Sequence, residues 1–242
     1  MHRPIIASLV TLVALAGQAR AETLENFKKQ IHAKVSGYKS IQYKTHMTNE
    51  MVTEQMSYKM TSDQTAEYVK QGEKVLSHIE SKTTSEQKIG EMNQNTKITS
   101  LDISDGAIAY SLTDAGGQKT AAKRKFDPKN QPSPFDAMAM FKMIEEHFNL
   151  KLLPDETVDG KSMYVLEMTF KEPQPGMPIS KTKLYYDKST AIAVKSISYD
   201  EKGKAVGTMT TSDVKIDATV PQDHFVFKVP VGVDIVDNTK GA

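Results

Sequence analysis

The sequence predicts a mainly β fold of antiparallel strands with two helices. Long stretches alternate apolar or β-branched residues with polar ones, at a period close to two. Glycine-containing turn sequences separate these stretches, and only two segments have the three-to-four spacing of an amphipathic helix. Strands with one polar face are typical of antiparallel sheets, since parallel sheets are covered on both faces.

Residues 1–21 are predicted to be a cleavable secretory leader. An apolar run covers residues 5–16, and Ala19 and Ala21 stand where an Ala-x-Ala cleavage site requires small residues. As a helix, that run would span about 18 Å, which is too short for a bilayer core of about 30 Å. We therefore expect export with a mature chain that starts at Glu22; an uncleaved membrane anchor is the alternative.

The composition of the 242 residues excludes several classes of function. There is no cysteine, which rules out disulfides, thiolate nucleophiles and cysteine-ligated metals. The 31 basic and 30 acidic residues nearly cancel, which argues against a dedicated nucleic-acid binder. No later stretch approaches 18 consecutive apolar residues, so we expect no transmembrane segment in the mature chain.

Residues 23–36 are predicted to form the first helix. Leu24, Phe27, Ile31 and Val35 recur at three- and four-residue spacing, which places them on one helical stripe. Gly37 follows where a helix commonly ends.

Residues 40–125 are predicted to form an antiparallel meander. Short turn signals divide the segment into successive strands. These signals are Gln71-Gly72, Ile89-Gly90, Asp105-Gly106 and Ala115-Gly116-Gly117.

A second helix is predicted over residues 134–148. Ser133 and Asp136 resemble a capping box, and Pro134 suits the first helical position. Strands are expected to resume after Gly160, with a proline-rich loop at 171–180 and a hairpin turn at 201–204. The predicted strands are residues 162–170, 182–186, 191–199, 206–211 and 225–229.

No catalytic constellation can be named from the sequence. There is no G-x-S-x-G nucleophile elbow, no H-E-x-x-H zinc motif and no glycine pattern of a nucleotide-binding loop. Glu145, Glu146 and His147 fit the polar face of the second helix better than an acid–base cluster, because consecutive helical residues point about 100° apart. The sequence therefore predicts a protein that is not an enzyme and that has no cofactor and no metal.

Two further features leave alternatives open. Twelve methionines follow the leader, and they could fill an irregular core or form an adaptable apolar binding surface. A basic cluster could be a solvated strand edge or a contact for anionic head groups. Its members are Lys119, Lys123, Arg124, Lys125 and Lys129.

The C-terminal part of the chain resembles the outer-membrane lipoprotein carrier (LolA-like) family. A hairpin over residues 183–199 leads to Pro221, Phe225 and Phe227 in a Pro-x-x-x-Phe-x-Phe pattern. The closing residues 230–237 read Pro-Val-Gly-Val-Asp-Ile-Val-Asp, which is similar to the family's ending.

The resemblance implies a curved antiparallel sheet that forms an incomplete β-barrel, with helices covering its concave face. On that basis residues 22–242 are one domain, a soluble monomeric periplasmic protein that carries lipid or lipoprotein acyl chains without catalysis. Membrane proteins would donate and accept the cargo. The alternative is an envelope interaction or stress-sensing protein that has the same fold and binds a protein partner.

One departure from the family concerns the helical lid. The family's classical members hold the lid closed with an arginine on an early strand, whereas no arginine lies between Glu22 and Lys123 here. The resemblance therefore implies that the lock is missing or is replaced by a residue such as Lys44 or Lys59.

Strand alternation predicts where a lipid would bind. Residues 164–170 alternate, so every second side chain shares the face that would meet both helices. The alternative is that these side chains touch one another in a closed core. The expected lipid-binding set is Leu24, Phe27, Ile31, Phe135, Met138, Phe141, Tyr164, Leu166, Met168 and Phe170.

Overall fold

A computed structural model describes residues 22–52, 56–128, 131, 133–172 and 179–240. The predicted leader at 1–21 lies outside the described residues, as do Lys129 of the basic cluster and most of the predicted proline-rich loop. Neither helix of the described part is long and apolar enough to cross a membrane.

Both predicted helices are present. Helix α1 covers Leu24–Val35, and the Thr23 hydroxyl caps it by accepting a hydrogen bond from the Asn26 amide at 3.2 Å. Helix α2 covers Ala137–His147, so its predicted start at residue 134 was wrong by three residues.

The cap of α2 explains that difference. The Asp136 carboxylate accepts from the Ala139 amide at 3.0 Å and is therefore the N-cap. The Ser133 hydroxyl instead accepts from the Phe135 amide at 3.1 Å, which makes a turn before the helix begins.

The described residues form twelve strands of one open sheet. All neighbours are antiparallel except β12, which pairs in parallel with β6. Along the sheet the order is β12-β6-β5-β4-β3-β2-β1-β11-β10-β9-β8-β7, so β12 and β7 are its edges. The strands are β1 Ser40–Val52, β2 Met56–Gln71, β3 Lys74–Ile89, β4 Met92–Ser104, β5 Ile108–Ala115, β6 Gln118–Lys125, β7 Phe148–Val158, β8 Lys161–Phe170, β9 Lys181–Asp187, β10 Ala193–Tyr199, β11 Ala205–Ile216 and β12 Ile235–Asp237.

Two predictions about strands were wrong. Strand β7 begins directly after α2, where no strand was expected, because its alternation continues the apolar pattern of the helix without a turn signal. Residues 225–229 do not form a strand: a short 3-10 helix at Gln222–Phe225 precedes irregular backbone. The expected alternation persists there, since Phe225 is buried and Val226 is exposed, but the segment packs across the sheet instead of pairing with it.

The cores lie on both faces of the sheet. The register of the strands places Leu166, Leu184 and Tyr186 on the face that carries both helices. On the opposite face, Val165 and Tyr185 pack with Met163 in a second cluster. The two helices lie over the four strands β7–β10 at one end of the sheet, and the helix-bearing face of the remaining strands is only partly covered.

Candidate functional site

Most of the side chains expected to bind lipid pack against one another. Phe27, Phe141 and Leu166 are each 0% exposed, and they belong to one buried cluster between the helices and the sheet. The ring centroid of Phe27 lies 5.7 Å from that of Phe141 and 5.4 Å from that of Tyr164. Tyr164 and Leu166 therefore meet both helices as predicted, and in this structure their face is filled as a closed core.

The remaining members of the predicted set are more loosely placed. Phe170 is half-buried and its ring centroid lies 4.5 Å from that of Phe148. Met138 was expected to face the sheet but is 39% exposed, because α2 is apolar on two sides and only one of them packs inward. The others are Leu24, which packs against the cluster, half-buried Met168, and buried Ile31 and Phe135.

A buried lysine joins the two helices. The Lys28 side chain is 5% exposed and its ammonium pairs with the carboxylates of Glu145 on α2 and Glu25 on α1. Burial by itself lowers the pKa of Lys28, but hydrogen bonds to Glu145 and Glu25 outweigh it, and the net pKa is raised. This charged contact holds α2 against α1 without an arginine.

The two lysines suggested as substitutes for the family's arginine do not hold the helices, so replacement by Lys44 or Lys59 was the wrong alternative. The Lys44 ammonium pairs with Asp213 of β11 at 2.8 Å. Pairing of β1 with β2 places Lys44 and Lys59 on the face opposite the helices, and Lys59 is exposed. Strand alternation alone put both side chains on the wrong face for a lid contact.

An open groove of about 380 Å³ lies on the helix-bearing face, beside the closed core. It runs over β2–β6 and is bounded by the segment that leads into α2. The groove was not predicted from the sequence, although alternation along β3 places Val75 and Ile79 on one face. Half of its lining residues are polar or charged, and the apolar and aromatic half consists of Tyr68, Val75, Ile79, Ile103, Ala109, Tyr110, Phe126 and Pro134.

Two charged side chains of opposite sign also line this groove. Partial enclosure raises the pKa of the Asp102 carboxyl, while the Ser100 hydroxyl, donating at 3.5 Å, and the Arg124 charge oppose the shift. Arg124 is exposed at the groove's β6 side. Tyr68, at the other side, has a raised pKa because burial disfavours its phenolate.

A larger depression, about 620 Å³, has a different character. Its lining includes Lys44, Asp63, Glu80 and Lys82, and most of its residues are polar or charged. Transfer of an apolar chain gains free energy only against apolar surface. Leu101 and Leu112 are the aliphatic side chains in this depression, whereas half of the residues that line the smaller groove are apolar or aromatic. On residue type the smaller groove is the better candidate for an acyl chain.

Methionines extend the apolar surface beyond the groove. Met47 of β1 is directly opposite Met209 of β11, and both are half-buried on the helix-bearing face. Met60 lies on the same face of β2. These side chains are neither buried in the closed core nor fully exposed, so they form a surface that can rearrange around another molecule.

The comparisons with known proteins give distant similarities. A model of a family described as an uncharacterised protein matches residues 135–227. An uncharacterised protein of Methanocaldococcus jannaschii is 24% identical over 241 residues, which cover 98% of this chain and 61% of that protein. The chain therefore spans about three fifths of this relative's length.

Solved structures are similar at low sequence identity. The complex of MucA and MucB from Pseudomonas aeruginosa aligns at 14% identity and a TM-score of 0.43, covering 84% of this chain and 60% of that chain. A Vibrio parahaemolyticus domain described as an outer membrane lipoprotein-sorting protein aligns at 15% identity and a TM-score of 0.38, covering 84% and 95%. Similarities this distant assign no ligand or partner to this chain.

Proposed function

We propose that this chain binds the acyl chains of a lipid or lipoprotein and carries them through the periplasm without catalysis. The observation that supports this is the groove on the helix-bearing face of an open sheet, where half of the lining residues are apolar or aromatic. Its volume of about 380 Å³ lies in the usual range for small-molecule pockets, roughly 300–1,000 Å³.

The free energy of such binding would come from the hydrophobic effect. Each methylene transferred from water to the groove contributes about 0.8 kcal/mol, before the cost of ordering the chain. Phe126 and Pro134 provide apolar surface on one wall, and Ile79 provides it on the floor.

In this proposal the helices would limit where the ligand can bind. The closed core beneath α1 and α2 is filled by its own side chains, since Phe27, Phe141 and Leu166 are fully buried there. A longer ligand would then extend from the groove along the methionines of β1 and β11, or displace α2 after the Lys28–Glu145 pair separates. Neither route requires a covalent step.

The test is a titration with an environment-sensitive fluorescent fatty acid. Ile79→Glu places a charge in the groove, and we expect a loss of probe affinity of tenfold or more. Ile197→Glu is the matched control, because Ile197 is also half-buried but packs on the opposite face. Far-UV circular dichroism must show both variants folded.

The outcomes are distinguishable. A loss of probe affinity in Ile79→Glu alone supports the proposal. Equal probe affinity in the two folded variants contradicts the groove as the binding site. No binding by the parent protein contradicts the carrier function as a whole. Native mass spectrometry of gently purified protein, showing copurified lipid, would support the function independently.

A second candidate function rests on the ends of two hairpins. Ile89 and Met92 flank one turn and are 44% and 71% exposed, and Val52, 63% exposed, ends β1 at the same end of the sheet. Exposed apolar groups gathered in one place commonly mark a protein interface. If the Ile79→Glu variant still binds a partner protein and the Met92→Glu variant does not, the result would favour an interaction or stress-sensing protein.

A further inference from the structure

We infer that the groove recognises an amphiphile through its anionic head group, with Arg124 as the cationic contact. This inference rests on the proposed acyl-chain binding and adds the chemical class of the ligand. The shared chemistry is a carboxylate or phosphate oxygen at one end of an apolar chain. It assigns a specific role to one residue of the basic cluster found in the sequence.

The sheet register places Arg124 at one end of a row that crosses the groove. Arg124 of β6 is directly opposite Ala109 of β5, which is in turn opposite Ser104 of β4. The row continues through Ser77 of β3 to Tyr68 of β2. Four strand spacings of about 4.8 Å make this row roughly 19 Å long.

The middle of the row is formed by small side chains. Ala109, Ser104 and Ser77 leave the space above the strands open, and larger side chains stand at each end of the row. A ligand lying along this floor would have its charged end at Arg124, which is exposed to water. Its apolar end would lie against Tyr68 and Ile79, where burial is favourable.

The guanidinium of Arg124 is available to a ligand. In the described part of the chain no carboxylate lies within ion-pair distance of it, whereas the neighbouring Lys123 pairs with Asp237 at 3.0 Å. Asp102, the acid of the groove, lies on β4, two strands away from Arg124. It is directly opposite Ser111, whereas Arg124 is opposite Ala109. Asp102 therefore does not neutralise Arg124 by direct contact.

Arginine also differs chemically from the other basic residues. The chain contains 28 lysines and three arginines, and Arg124 is the only arginine after residue 20. A planar guanidinium can donate two parallel hydrogen bonds to one carboxylate or phosphate, which a lysine ammonium does not do. The one arginine of the described part thus lines the groove on the helix-bearing face.

The experiment compares a fatty acid with the monoacylglycerol of the same chain length, each displacing an uncharged fluorescent probe. We expect the parent protein to bind the fatty acid about tenfold more tightly, the size of one charge-assisted contact. Arg124→Gln should lose this preference and keep its affinity for the monoacylglycerol. Lys125→Gln is the matched control, since it removes an equal charge from the adjacent, exposed position.

Each outcome decides between the two proposals. Full preference in folded Arg124→Gln, or loss of preference in Lys125→Gln as well, overturns the role of Arg124. Equal binding of the two lipids by the parent overturns head-group recognition and leaves the carrier function intact. If neither lipid displaces the probe, the result contradicts the carrier function itself. Displacement of the fatty acid by inorganic phosphate at equal concentration would show a free-anion site and overturn the assignment to a lipid head.

Discussion

Lys28 illustrates how one residue can join two secondary-structure elements. It lies beside the apolar stripe of α1, yet its aliphatic stem is buried and its ammonium reaches two carboxylates. A buried cation is costly unless it is paired, so removing a partner costs more than removing an exposed charge. The contact therefore makes α2 sensitive to substitution at Glu145.

At this scale we predict the effect of Glu145→Gln. The variant leaves the buried Lys28 with one carboxylate, on the exposed Glu25, and should lower the free energy of unfolding by about 1–2 kcal/mol. Glu146→Gln is the control, because Glu146 is an exposed neighbour on the same helix. Chemical denaturation measures both variants, and equal midpoints would contradict a stabilising contact between the helices.

The sequence predicted individual side chains well where alternation or helical spacing determined their faces. Phe27, Phe141 and Leu166 were expected to meet, and they do so in the buried cluster. Pairing partners were not predictable in the same way. Lys28 and Glu145 are distant in the chain, and no local pattern indicates which acid will be nearest a buried lysine once the helices pack.

The C-terminal segment shows the same limit at the scale of an element. Phe225 alternates with exposed neighbours as a strand residue would, but it packs with Leu76 and Val220 on the sheet face opposite the helices. Farther along, Phe227 stacks on Tyr110 with ring centroids 5.1 Å apart. Periodicity determined which side chains point inward, whereas the choice between strand pairing and packing across the sheet depended on distant residues.

A histidine attaches this segment to the sheet. The ring of His224 lies with its Nδ1 atom 2.7 Å from a carboxylate oxygen of Glu67 on β2. The backbone carbonyl of His224 accepts from His78 Nδ1 of β3 at 2.6 Å. The hydrogen bond to Glu67 raises the pKa of His224, against the opposing effect of burial; Asp223 and Glu80 also raise it.

We predict that the attachment of this segment weakens as pH rises through the raised pKa. A pKa that is higher in the folded state stabilises that state below the ordinary histidine value, and the stabilisation is lost as the imidazolium deprotonates. Glu67→Gln should lower the pKa of His224 toward its ordinary value. A proton NMR titration measures this, with Glu73→Gln as the control in an exposed turn; an unchanged His224 midpoint in Glu67→Gln would contradict the account.

On the scale of the whole molecule, the ratio of helix to sheet determines the candidate site. Two helices cannot cover twelve strands, and they pack over the four strands β7–β10 at one end of the sheet. The remaining strands leave apolar side chains half-buried on the same face, both in the groove and along Met47 and Met209. The fold class was predictable from periodicity and turns, but the division of this face into a closed core and an open groove was not, because it depends on where the helices dock.

Photo-crosslinking with a diazirine-bearing fatty acid tests the central claim most directly. The account predicts covalent adducts, mapped by mass spectrometry, on Val75, Ile79, Phe126 or Pro134, which line the groove. An excess of unlabelled fatty acid should abolish them. Adducts confined to the exposed ends of the hairpins, at Ile89 and Met92, or no saturable adducts at all, would contradict acyl-chain binding in this groove.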